Sequence, residues 1–178
     1  TCALPISTDT TRIGRSIWIH SIQIRTAIMF QDDTTGSLGS HNSIRIALVL
    51  DRQCNGAIPA YSAVYDAATN TGVYNFRNLH NARRFQILKE KMFAVDGSFV
   101  TNNGATIFNP LRRREWIFYH KFRSPLRIDY NATTGAVTDV TQANLFLCAA
   151  CHNVTNGTPQ LDINGTCRIR FTDGPAGR

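Results

Sequence analysis

The densest positive charge in the chain is the run Arg112-Arg113-Arg114, followed by Lys121 and Arg123. A guanidinium is a planar fork that binds phosphate through two hydrogen bonds at once, whereas an ammonium acts as a point charge. Such a run most often marks a solvated face. Here it adjoins the aromatic stretch of Trp116 and Phe118, which would stack bases wherever they were exposed. That neighbourhood favours a phosphate-binding surface, with Arg12 and Arg15 near the start of the chain as further contacts.

Cys148-Ala149-Ala150-Cys151-His152 has the C-x-x-C-H form of covalent haem attachment. That chemistry needs a coiled segment, so that both thiols reach one macrocycle while the His ligates iron. Leu145 to Ala150 reads as a strand, in which residues three apart point to opposite faces. The same geometry disfavours a zinc half-site, and no second Cys/His pair stands at a suitable spacing. Small thiols filling a core are expected instead, with no cofactor and no metal. Four sequons begin at Asn131, Asn153, Asn156 and Asn164; Asn, Gly and Thr are common in turns, and turn chemistry is the expectation at all four. No Ser/His/Asp, paired-carboxylate or phosphate-loop pattern is visible, so an enzyme is not expected.

Sixteen Arg stand against three Lys, and the net charge is +7. An Arg-dominated basic chain favours a polyanionic partner, nucleic acid first. Charged residues are only 17% of the chain and hydrophobic ones 43%, which excludes a disordered tail. No apolar run reaches the roughly 18 residues of a membrane span. Five cysteines without a secreted disulfide pattern favour a reduced, intracellular state.

The elements that must carry these residues are strands. Ile17 and Ile19 alternate on one face, and Ile22, Ile24, Thr26 and Ile28 continue with the opposite parity. The phase change at His20-Ser21 predicts a bulge or a corner. Ile44, Ile46, Leu48 and Leu50 form the cleanest row and are assigned to the core, opposite Arg45, Ala47 and Val49. A short helix is expected between Pro59 and Thr69. Further on, Phe85 and Ile87 are set opposite Leu88 and Met92. Trp116, Phe118, His120 and Phe122 are set opposite Ile117 and Tyr119, with Leu126, Ile128 and Tyr130 following. Leu145 to Ala150 is a compact apolar run, and Cys167, Ile169 and Phe171 alternate with Arg168 and Arg170. About eight strands without a long amphipathic helix predict one all-β domain, an antiparallel sandwich or barrel.

Several phrases appear in a recognisable order. Ser21-Ile22-Gln23-Ile24-Arg25 follows the basic lead-in Arg12-Ile13-Gly14-Arg15. A strand then ends in the corner Asp51-Arg52-Gln53, a Pro-containing excursion runs from Asn55 to Ala68, and Arg84-Phe85-Gln86-Ile87-Leu88-Lys89 opens the next strand. This order resembles the single jelly-roll coat proteins of small circular single-stranded DNA viruses and of the satellite tobacco necrosis virus type. The resemblance covers residues 12 to 130 best.

The resemblance implies a single eight-stranded antiparallel jelly-roll sandwich over residues 1–178, with one or two short helices in loops. It implies a capsid protein that self-assembles with identical subunits into a closed shell, the smallest having sixty, and that packages single-stranded nucleic acid, DNA before RNA. Arg12, Arg15, Arg112, Arg113, Arg114, Lys121 and Arg123 would face that genome. The resembled proteins carry a basic arm ahead of the first strand, so an arm before Thr1 is expected. The expected location is the virion, and the host cell, its nucleus included, during assembly, without a membrane. The rival from another class is a secreted β-sandwich module that binds carbohydrate or a cell-surface ligand.

Overall fold

Alternating β-branched and aromatic residues fold into long antiparallel strands. The computed structural model describes residues 2–3, 16–31, 42–66, 73–95, 100–102, 105–107, 113–132, 137–152 and 160–173. In chain order these carry β1 (Cys2–Ala3), β2 (Ser16–Gln31), β3 (Asn42–Asp51), α1 (Tyr61–Val64), β4 (Phe85–Val95), β5 (Val100–Asn102), β6 (Ala105–Ile107), β7 (Arg113–Tyr130), β8 (Val140–Gln142), β9 (Asn144–His152) and β10 (Gln160–Asp173). One four-stranded sheet runs β1-β9-β3-β4, a second runs β10-β2-β7-β8, and β5 and β6 form a small ribbon. The fold is all-β, in two antiparallel sheets.

The main core lies between the sheets. Ile17, Ile19, Ile22, Ile24 and Ile28 meet Ile44, Ile46, Leu48 and Leu50, with Trp116, Phe118 and Ile128 beside them. The β2 phase change is real. Ile19 pairs with Leu126 and Ser21 with Lys121, so His20 alone opposes Phe122, Arg123, Ser124 and Pro125. Pro125, which lacks an N–H, sits where the ladder is already interrupted. The two apolar rows seen in the sequence on either side of Pro125 thus belong to one strand.

The first sheet is covered on its other side as well. Ala47, Val49, Phe85, Phe146 and Cys148 pack against Val64 and Tyr65 in a second cluster. This explains the unbroken apolar run of β9: a strand buried on both faces does not alternate. A bulge between the Leu48 and Val49 pairings leaves Leu88 without an opposite residue. Leu88 therefore joins the main core, whereas Met92 lies opposite Arg45 on the other side. This corrects the shared face expected for Leu88 and Met92.

The Asp51 corner and the Arg84-Phe85 strand start are one device. Arg84 donates to both oxygens of Asp51, Nε at 2.9 Å and Nη2 at 2.8 Å. The Gln53 N–H donates to Asp51 Oδ1 at 3.0 Å, and the Arg52 N–H to the Arg84 carbonyl at 2.9 Å. A buried carboxylate thus holds both ends of the excursion between β3 and β4.

Candidate nucleic-acid interface

The outward face of the β10-β2-β7-β8 sheet collects charge in cross-strand rows. The register aligns Arg170, Ser21 and Lys121 in one row, Arg168, Gln23 and Tyr119 in the next, then Thr166, Arg25 and Ile117, then Asn164, Ala27 and Glu115. Rows two residues apart lie roughly 6.8 Å from one another. Arg25, Lys121, Arg168 and Arg170 are exposed, and none of them forms an ion pair with another described residue. Ser21 is buried in the row between Arg170 and Lys121. Tyr119 is 57% and Ile117 59% exposed, large values for side chains on a regular strand. Farther along, Arg127 lies 5.7 Å over the Trp18 ring and pairs with Asp129 at 2.8 Å.

A hollow of about 440 Å³ opens over this face, with Arg25, Ala27, Glu115, Ile117, Asn164 and Thr166 on its walls. Gly165 helps form its floor. A Cβ there would stand 2.4 Å from the Arg25 carbonyl oxygen, so only glycine lets β10 lie this close to β2. Asn164-Gly165-Thr166 is therefore mid-strand, paired with Ala27, Thr26 and Arg25, and not the turn expected from its composition. Asn131 does sit at a bend, its N–H donating to the Asp139 carbonyl at 2.8 Å. Asn153 and Asn156 lie outside the described residues.

The residues chosen from sequence separate in space. Arg12, Arg15 and Arg112 lie outside the described residues, and of Arg113 only its place in β7 is described. Arg114 shares the row of Trp116 and Phe118, whereas Lys121 belongs to the opposite row with Ile117 and Tyr119. Seven strand residues span roughly 23 Å, and an odd spacing reverses the face. Arg114 and Lys121 are thus not one compact cluster, and Arg123 is carried by the bulge. Trp116 and Phe118 stack at 5.0 Å inside the core, so they are not available to bases. The exposed ring at the basic rows is Tyr119. Arg25, Arg168 and Arg170 were not singled out from sequence, although the alternation of Arg168 and Arg170 with apolar residues was the signal.

The Cys148–His152 segment is extended along β3, pairing Ala47 with Cys148 and Ser43 with His152. Burial pushes the Cys148 thiol up to about 11, the value of an inert core thiol. Among the described residues no three His, Cys, Asp or Glu gather as a metal site. No described helix is long and apolar enough to cross a membrane. The remaining buried charge is structural: Arg45 pairs with Glu90 at 2.9 Å, donates to the Asn75 carbonyl at 2.6 Å and lies 4.5 Å over the Tyr65 ring.

No known family model matches the chain, and no curated protein matches it in sequence.

Proposed function

We propose that the chain is a coat subunit of a small virus, and that its β10-β2-β7-β8 sheet faces a single-stranded genome. The observation that carries this reading is the open sheet face, on which Arg25, Lys121, Arg168 and Arg170 stand exposed beside Tyr119. Exposed guanidiniums without carboxylate partners bind phosphates by releasing counterions, largely without reading sequence. Tyr119 adds a stacking platform for any base.

The winding of the chain supports a jelly roll. β2 and β3 lie in different sheets, as do β9 and β10, yet β2 pairs with β10 and β3 with β9. Two such crossing pairs laid side by side are how a jelly roll wraps. A rigid sandwich of this kind offers edges and loops for repeated rotational contacts, which close a shell of sixty copies.

Negative-stain microscopy of the purified chain, with nucleic acid measured after nuclease treatment, tests the reading. Closed particles holding protected nucleic acid are expected. Dispersed small species that protect none would refute it.

A further inference from the structure

β10 is fourteen residues long and pairs with β2 on one side; among the described residues nothing pairs with its other edge. A long edge with free N–H and C=O groups is a template for another strand. The side chains give the same indication. Ile163 and Phe171 stand in the row that continues the core side of the sheet, paired with the buried Ile28 and Ile19, yet they remain 36% and 38% exposed. An occupant must therefore be extended, apolar at alternate positions beside Ile163, Ile169 and Phe171, and neutral or acidic beside Arg168 and Arg170.

β10 itself has this chemistry. We propose that two copies of the chain join by antiparallel β10–β10 pairing about a two-fold axis at Thr166. In that register Leu161 stands opposite Phe171, Ile163 opposite Ile169, and Gly165 opposite Cys167. At the alternate positions of this register Asp162 falls opposite Arg170 and Asn164 opposite Arg168. Both the apolar and the charged positions match, and a slip of one residue would set Ile163 against Arg170. The contact is isologous, so every pair occurs twice. It joins two four-stranded sheets edge to edge and makes their basic faces continuous. The dimer forms without nucleic acid or a shell, so it stands or falls separately from the coat reading.

Sedimentation equilibrium of the chain, free of nucleic acid, tests the register by charge exchange. Wild type should dimerise. Arg170→Asp and Asp162→Arg each place like charges opposite one another twice, and each should weaken the dimer by roughly tenfold. The double variant restores opposite charges and should return to within about threefold of wild type. A monomer at all concentrations, or a dimer indifferent to both single changes, overturns the proposal. Hydrogen exchange of the wild-type β10 amides provides a check that needs no variant. Protection that grows with protein concentration supports a second copy. Protection independent of concentration means that the edge is covered within one chain or by another polypeptide, and overturns it.

Discussion

Apart from the Arg127–Asp129 pair in β7, the two sheets use arginine in opposite ways. In the β1-β9-β3-β4 sheet, Arg45 and Arg84 are committed to Glu90 and Asp51, and Arg45 is buried beneath α1. In the β10-β2-β7-β8 sheet, Arg25, Arg168 and Arg170 are exposed on a face that nothing described covers. Among the described residues, the first sheet has packing on both faces and the second on one. Net charge therefore does not locate a binding surface: an arginine next to a carboxylate serves the fold, and one facing solvent remains available to a phosphate.

Mutations should separate the two roles. The largest stability losses belong to the doubly covered sheet. Leu48→Ala should cost about 2–5 kcal/mol in chemical denaturation, the usual range for truncating a fully buried leucine. Arg84→Ala should cost on the order of 3 kcal/mol, because it strands the buried Asp51 carboxylate; the partial exposure of Arg84 keeps this at the low end for buried pairs. Arg25→Ala and Arg168→Ala should each change stability by less than about 0.5 kcal/mol, as exposed positions do. If Arg25→Ala destabilised the fold as much as Arg84→Ala, the division between the sheets would fail.

Smaller effects sharpen the same contrast. His120, on the core-side row of the open sheet, has its pKa held below the ordinary 6.5 by burial and then by the Lys89 charge. The unfolded chain therefore binds the proton more readily. Stability from this group is present above about pH 6.5 and is lost as pH falls below it. Denaturation at pH 7.5 and 5.5 should show that loss in wild type and a smaller one in His120→Gln. At the corner between β8 and β9, Ala143 has φ 56°, a left-handed conformation that β-branched residues resist. Ala143→Val should therefore lower the melting temperature more than Ala143→Gly does.

Much of the fold was legible because alternation is local. The parity change at His20, the core row from Ile44 to Leu50, and the shared face of Trp116 and Phe118 all appear in the structure as read, although the burial of those two rings removes the base stacking considered for them. The Leu88 bulge was missed, because one extra residue in β4 leaves no compositional mark. Asn164-Gly165-Thr166 was misread because its glycine serves a close approach of strands and not a turn. The candidate interface was the least legible part. Arg25 and Arg168 lie far apart in sequence and become neighbours only through the β2–β10 register. The Arg112–Arg114 run is conspicuous in the sequence, yet strand geometry sets Arg114 and Lys121 on opposite faces.

The open sheet is proposed to bind single-stranded polyanion through cations that no carboxylate among the described residues pairs. The most direct measurement is the salt dependence of oligonucleotide affinity for wild type and for Arg25→Ala/Lys121→Ala/Arg168→Ala. Each neutralised phosphate contributes about 0.7 to the slope of log K against log salt on single strands, so the triple variant should lose about 2 from that slope. It should also retain wild-type stability. An unchanged slope in a folded triple variant would contradict the claim.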